Sequence, residues 1–314
     1  MSIFLPTDTN IEKAVQLLKA GELISFPTET VYGLGADARN EQAVQKIYAL
    51  KKRPANNPLI CHIASIDDAK SIAEVSPMAL EMMHHFFPGP LTLVLPLKPE
   101  AGLAKTVTAG LDTIALRMPN SDLAKKLLQK FGGPIAAPSA NLSTQITATT
   151  PMHVEKYFKD LFILADGQCT GGLESTILDL SVEKPKILRE GLITAKEIEH
   201  ILGQEVSSET KGEAKTLKAP GMSHLHYAPT LPIRLNVNFP EKDEAFITFG
   251  PIVGHIEHAY HLSPHGNLQE AAYKLYDALH QMDQPNKFKS IAIMPIPNEG
   301  VGRAINDRLN RTLK

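Results

Sequence analysis

The chain has 314 residues, 43% apolar and 21% charged, enough to bury an ordinary core and too apolar for a disordered polypeptide. Its 32 Lys and Arg stand against 34 Asp and Glu, a formal charge of −2, so no global basic field is available to hold nucleic acid by its phosphates. The two cysteines form no C-x-x-C, the start has no leader pattern, and no apolar run approaches roughly 18 residues. These features point to a soluble, cytoplasmic protein of two domains without a zinc or disulfide framework.

Helical and strand patterns alternate from the start. Thr9-Asn10-Ile11-Glu12 reads as a capping box opening a helix with Ile11, Ala14, Val15 and Leu18 on its buried face, ended by Gly21. Residues 23–26 read as a strand entering a polar turn, Pro27-Thr28-Glu29-Thr30-Val31-Tyr32-Gly33-Leu34-Gly35. That turn is either a plain connection or one whose amides meet a ligand; it is no P-loop, since no Gly-Lys-Ser/Thr follows. A helix from Asn40, with Ala43, Ile47 and Leu50 inward, stops at Pro54. Lys51-Lys52-Arg53 at its end suits the helix dipole, but Asn56-Asn57-Pro58 directly after favours a phosphate clamp.

Strands are expected at 59–63, 91–97, 113–117, 135–137, 161–165, 176–180 and 186–189, with helices at 77–87 and 121–131. Strand alternation puts His62 with Ile60, and Thr113 with Arg117, so Thr113 and Arg117 can line one cavity. An arginine facing a cleft suits a carboxylate. Pro138-Ser139-Ala140-Asn141, then Thr147, Glu174-Ser175-Thr176 and Leu188-Arg189-Glu190-Gly191 offer hydroxyls and amides near strand ends, with no serine-triad spacing. Thr194-Ala195-Lys196-Glu197 is a second capping box, with its helix ending near Gly203.

Residues 204–230 are polar and aperiodic and read as a linker. They contain Pro220-Gly221-Met222 and His226-Tyr227-Ala228-Pro229, which a passive tether does not need. The linker is therefore expected to cross the mouth of the cleft and bring His226 or Tyr227 to the ligand. A strand at 245–249, a helix at 268–280, a strand at 290–294 and a helix at 302–313 complete a small α/β unit. His258 and His261 have a metal-like spacing, but their loop context makes solvated histidines the better reading.

Together these segments closely resemble the YrdC-like family, in its long, two-domain form, the threonylcarbamoyl-AMP synthases. PTETVYGLG (27–35), Lys51 with Arg53, NNPL (56–59), PSAN (138–141), ESTILDL (174–180), LREG (188–191), PGM (220–222) and HYAP (226–229) carry the likeness over nearly the whole chain. It implies a twisted mixed sheet with flanking helices at 1–203, the linker at 204–230, and a small Rossmann-like α/β domain at 231–314. The resemblance assigns Thr30, His62, Arg117 and Ser175 to L-threonine, with Arg117 on its carboxylate. Arg53, Asn57, Thr113, Ser139, Thr147 and Arg189 are assigned to ATP, and the linker reading adds Tyr227. Lys51, Arg53, Ser139 and Asn141 would form the catalytic tetrad around the triphosphate and the carbamate. Bicarbonate or CO2 is the third substrate. Mg²⁺ is expected to arrive with ATP, with no protein side chain assigned as its ligand. The product would pass to a tRNA threonylcarbamoyltransferase complex, and direct tRNA binding is expected to be weak or absent. Thr144 and Ala148 depart from the glycine and proline usual at those positions.

Overall fold

A computed structural model describes residues 2–208, 226–252, 254 and 256–313; the segment 220–222, His224 and His255 lie outside the described residues. The strands of the larger lobe are β1 (Ile3–Phe4), β2 (Ile24–Pro27), β3 (Tyr32–Asp37), β4 (Ile60–His62), β5 (Leu91–Pro96), β6 (Thr113–Arg117), β7 (Ile135–Ala136), β8 (Phe162–Leu164), β9 (Thr176–Asp179), β10 (Lys186–Arg189) and β11 (Ser207–Ser208). Among the described residues they form one sheet in the order β1-β8-β2-β3-β7-β4-β6-β5-β9-β10-β11. Parallel pairs such as β4–β6 occur beside antiparallel ones such as β5–β6, the mixed sheet the resemblance implies. The helices Asp8–Lys19 and Asp122–Phe131 pack Ile11, Leu18 and Leu127 against Phe26, covering part of one side. A smaller cluster of Ile60, Val94, Ala115, Ile177 and Leu188 floors the ligand side.

The smaller lobe has four parallel strands, β12 (Ile233–Leu235), β13 (Glu244–Phe249), β14 (Ala259–Ser263) and β15 (Ser290–Ile293), in the order β12-β15-β13-β14. The helices Leu268–Met282 and Gly302–Asn310 pack with this sheet. Its apolar interior is not closed by itself: Val31, Ile146 and Leu173 of the larger lobe join Tyr227, Leu275 and Ile305 in one buried cluster. Fully burying a side chain of this size is worth about 1.5–3 kcal/mol, so the shared cluster holds the lobes together.

Several local expectations change. The first helix is capped by Thr7, whose side chain accepts from the Asn10 amide; this start puts Asp8 in the first turn, where the dipole favours it. Leu50 is 39% exposed, because the second helix turns Val44, Ile47, Tyr48 and Lys51 inward instead. The polar turn is only 28–31; residues 32–37 return as strand β3. The glycines in that strand are there for close packing, since a Cβ on Gly35 would lie 2.8 Å from the Phe26 ring. Within the stretch read as linker, Val206 is buried and Ser207–Ser208 pairs with β10.

The helices Ile66–Ile72 and Pro151–Tyr157 were not expected. Both carried legible starts, a Ser65/Asp68 capping box and a Thr150 cap ahead of Pro151. His261 bonds Thr248 and His258 packs edge-on to Phe288, which gives both histidines structural partners. Among the described residues no helix is long and apolar enough to cross a membrane.

Candidate active site

One pocket collects most of the polar side chains singled out above. Thr30, Arg53, His62, Arg117, Ser139, Ser175, Arg189 and Tyr227 line it, together with Glu174 and His226. Lys51, Asn57, Thr113, Asn141 and Thr147 are buried but are not part of its lining.

The clamp after the second helix is tightly built. Arg53 Nε donates to the Asn57 carbonyl at 2.9 Å, and Nη2 donates to Asn57 Oδ1 at 2.7 Å and to the Pro58 carbonyl at 2.8 Å. Tyr48 Oη braces the same turn by donating to the Asn57 carbonyl at 2.9 Å. Asn57 therefore shapes the arginine. Burial lowers the Arg53 pKa to about 10, which leaves it cationic at neutral pH. Lys51 is turned away from the pocket wall: Nζ donates to the Ser139 carbonyl at 2.6 Å and also to the Asn141 carbonyl. Burial, and then the neighbouring Arg53, push its pKa well below the ordinary lysine value. Lys51 thus fixes the Pro138–Asn141 loop that presents Ser139.

Strand register places the other side of the pocket. Ile60 pairs with Ala115 and His62 with Arg117, so these four share a face, as the alternation predicts. Arg117 Nη1 donates to Thr30 Oγ1 at 2.8 Å and Nε to the Gly89 carbonyl at 3.2 Å. Its Nη2 lies 2.8 Å from Glu29 Oε1, an ion pair whose N–H is not aligned as a hydrogen bond. Arg117 is therefore already pre-oriented by a carboxylate. Burial, and then the Arg117 charge, hold the His62 pKa at about 3, so its imidazole is neutral. Thr113 lies at the far end of β6, opposite Pro96.

Arg189 crosses to the β9 start, its Nε and Nη2 donating to the Ser175 carbonyl at 3.1 and 2.9 Å. Ser175 Oγ meets Thr92 Oγ1 at 2.7 Å. Gly191 permits this contact: a Cβ there would come within 2.3 Å of the Thr176 amide.

Glu174 is the residue the sequence reading left without a role. Its Oε1 accepts from Thr147 Oγ1 at 2.7 Å, and Oε2 accepts from Tyr276 Oη at 2.9 Å and from Arg308 Nε at 3.0 Å. Burial raises its pKa, but Arg308, then Arg189 and the Thr147 hydroxyl, bring it down to about 2.

His226 and Tyr227 line this pocket, on a strap tied to both lobes. The Ala228 amide donates to the Thr144 carbonyl at 2.8 Å, and the His226 amide to the Arg311 carbonyl at 3.0 Å. Tyr227 Oη and His226 Nδ1 are buried without a hydrogen-bond partner among the described residues. Thr144 holds a left-handed φ of 71°, a conformation that costs a residue other than glycine about 1–2 kcal/mol. Thr144→Gly should therefore raise thermal stability by about 1 kcal/mol net of the entropy glycine loses. An unchanged melting temperature would show that the strap absorbs this strain.

Three arginines beside hydroxyls and a neutral imidazole, in a two-lobed α/β chain, have the chemistry of an enzyme site that suits a phosphate-bearing substrate and a small polar co-substrate. The family described as "Telomere recombination" matches residues 16–191, and "Threonylcarbamoyl-AMP synthase, C-terminal domain" matches 193–312. A threonylcarbamoyl-AMP synthase of Bacillus subtilis is 40% identical, covering 96% of this chain and 92% of that protein. One from Pyrococcus abyssi is 36% identical, covering 99% and 97%. The crystal structure of P. abyssi Sua5 complexed with L-threonine superposes with a TM-score of 0.90 at 34% identity, over 99% of this chain and 97% of that one. The chain belongs to the two-domain threonylcarbamoyl-AMP synthases, enzymes that make an AMP-linked intermediate.

Proposed function

We propose that the chain condenses L-threonine, bicarbonate and ATP into threonylcarbamoyl-AMP, pyrophosphate and water, for threonylcarbamoyladenosine modification of tRNA. The observation that carries this reading is the convergence of Arg53, Arg117 and Arg189 on one pocket with Thr30, His62, Ser139 and Ser175. Arg117 and Thr30 take the threonine carboxylate, His62 and Ser175 its polar groups. Arg53, shaped by Asn57, grips the polyphosphate with Ser139 and Arg189, while Thr147, Tyr227 and Thr113 complete the nucleotide side.

The threonine amine, once deprotonated, takes up carbon dioxide derived from bicarbonate. The carbamate oxygen then attacks the α-phosphate, and the bond to the pyrophosphate oxygen breaks. Arg53 meets the negative charge that builds on the phosphate oxygens, with Lys51 and Asn141 acting through the loop that carries Ser139. Magnesium, when bound, would neutralise triphosphate charge. Among the described residues no cluster of three or more His, Cys, Asp or Glu could cage it, and Glu174 is the one carboxylate in the lining, already holding three donors. It would then be held chiefly by triphosphate oxygens and water.

In this reading residues 1–203 are the catalytic unit, 204–230 the linker over the cleft and 231–314 the second domain. The strap at 226–228 closes the mouth and keeps water from the labile acyl-adenylate. The product passes, in the cytoplasm, to a tRNA threonylcarbamoyltransferase complex, and direct tRNA binding is weak. Pyrophosphate release should require ATP, threonine and bicarbonate together, with threonylcarbamoyl-AMP seen by mass spectrometry; release that ignored threonine or bicarbonate would refute the assignment. In the same assay Arg117→Ala and His62→Ala should raise the KM for threonine more than that for ATP, and the reverse pattern would invert the proposed orientation of the pocket.

A further inference from the structure

Arg308 is completely buried, on the helix Gly302–Asn310 of the smaller lobe, yet its charge is directed at the larger one. Nε donates to Glu174 Oε2 at 3.0 Å, Nη1 pairs with Asp307 at 2.9 Å, and the guanidinium carbon lies 5.4 Å from the Tyr227 ring centroid. Tyr276, on the helix Leu268–Met282, donates to the same Glu174 oxygen at 2.9 Å. The other Glu174 oxygen holds the Thr147 hydroxyl at 2.7 Å.

Two things make this more than a clasp between lobes. A buried ion pair seldom adds stability over apolar residues of the same size, so stability alone is a poor reason to keep it. Glu174 also lines the pocket, where an uncompensated carboxylate would repel a polyphosphate through a low-dielectric wall.

We infer that Arg308 and Tyr276 are positioning residues for the nucleotide side of the pocket: they orient Glu174 and cancel its charge, so that Glu174 can fix Thr147 without repelling the polyphosphate. The smaller lobe thereby supplies part of the active site's electrostatics without reaching the reacting atoms. The inference rests on the proposed reading of this pocket as an ATP site.

Steady-state pyrophosphate release tests it in the full-length chain, with ATP and threonine varied separately and thermal melts in parallel. Arg308→Met should raise the KM for ATP at least about ten-fold, the scale of one uncompensated charge, and leave that for threonine within about two-fold. Adding Glu174→Gln to Arg308→Met removes the exposed charge and should return the ATP KM most of the way, even if the melting temperature stays low. A merely structural pair predicts the opposite: both KM values and kcat follow the melting temperature, and the second substitution restores nothing.

An Arg308→Met protein with an unchanged ATP KM also overturns the inference. If that variant fails to fold, Glu174→Gln alone decides. With Arg308 in place the wall becomes more cationic, so the ATP KM should fall, and a rise overturns the idea. A wild-type protein whose pyrophosphate release does not saturate with ATP sinks the ATP-site reading itself; saturable wild-type kinetics with indifferent variants sink only the role of Arg308.

Discussion

Arg53→Ala should lose about 10²–10³-fold in kcat, the loss expected when one preorganised donor to a charged transition state is removed, roughly 2.7–4 kcal/mol. The same substitution should also loosen the fold. Arg53 makes three hydrogen bonds to the 57–58 turn, and stranding their buried acceptors costs about 1–3 kcal/mol. Arg53→Lys separates the two effects, because lysine keeps the charge but cannot reproduce the forked contact with Asn57. The lysine variant should therefore recover part of the ATP affinity and little of the turnover. Near wild-type turnover in the alanine variant, measured as pyrophosphate release at saturating ATP, would return the Lys51–Arg53 cluster to an ordinary helix end.

Acidification from pH 7 to pH 5 should destabilise the protein by ~6 kcal/mol through three neutral histidines. His62, His226 and His280 are all held at about 3 against an ordinary 6.5, chiefly by burial. His62 also feels Arg117, and His280 stacks on His153 at a centroid distance of 3.8 Å with its Nε2 3.0 Å from the Thr147 carbonyl. Below pH 6.5 the unfolded chain binds protons that the native state refuses until pH falls to about 3, so stability drops throughout that window. At pH 5 each histidine contributes ~2 kcal/mol of the loss.

Glu174 titrates in a different range: held at about 2 against an ordinary 4.5, it stabilises above 4.5 and loses that contribution only as pH falls from there toward 2. Urea titrations at pH 7 and pH 5 measure the difference. A His62→Gln/His226→Gln/His280→Gln triple variant should flatten the response above pH 5, and a wild-type protein equally stable at both pH values would rule the effect out.

Much of the site was legible because its chemistry is local. Alternation along β4 and β6 was enough to put His62 and Arg117 on one face, and the register between those strands bears this out. Thr113 was assigned to the same face as Arg117; it is buried at the far end of β6, outside the lining of that pocket. Lys51 read as a cation for phosphate; its partners are carbonyls 88 and 90 residues along the chain, which no local pattern reveals. Glu174 and Arg308 are 134 residues apart, so their pairing was equally invisible. β14 was not legible because only Leu262 and Ser263 of its five residues are buried, which leaves no alternation, whereas the helix at Ile66–Ile72 carries a capping box at its start. The left-handed backbone of Tyr227, φ 64°, had no signal either, since tyrosine rarely adopts it.

Because Val31, Ile146 and Leu173 complete the interior of the smaller lobe, that lobe has no whole core of its own, whereas the larger lobe holds separate clusters. Separation would expose a contiguous apolar patch on each partner, a surface prone to self-association. Melting of the larger lobe should therefore remove part of the support for the smaller one. In evolutionary terms the smaller lobe is not an interchangeable module. A substitute would have to restore both the apolar complement at Val31, Ile146 and Leu173 and a cation facing Glu174.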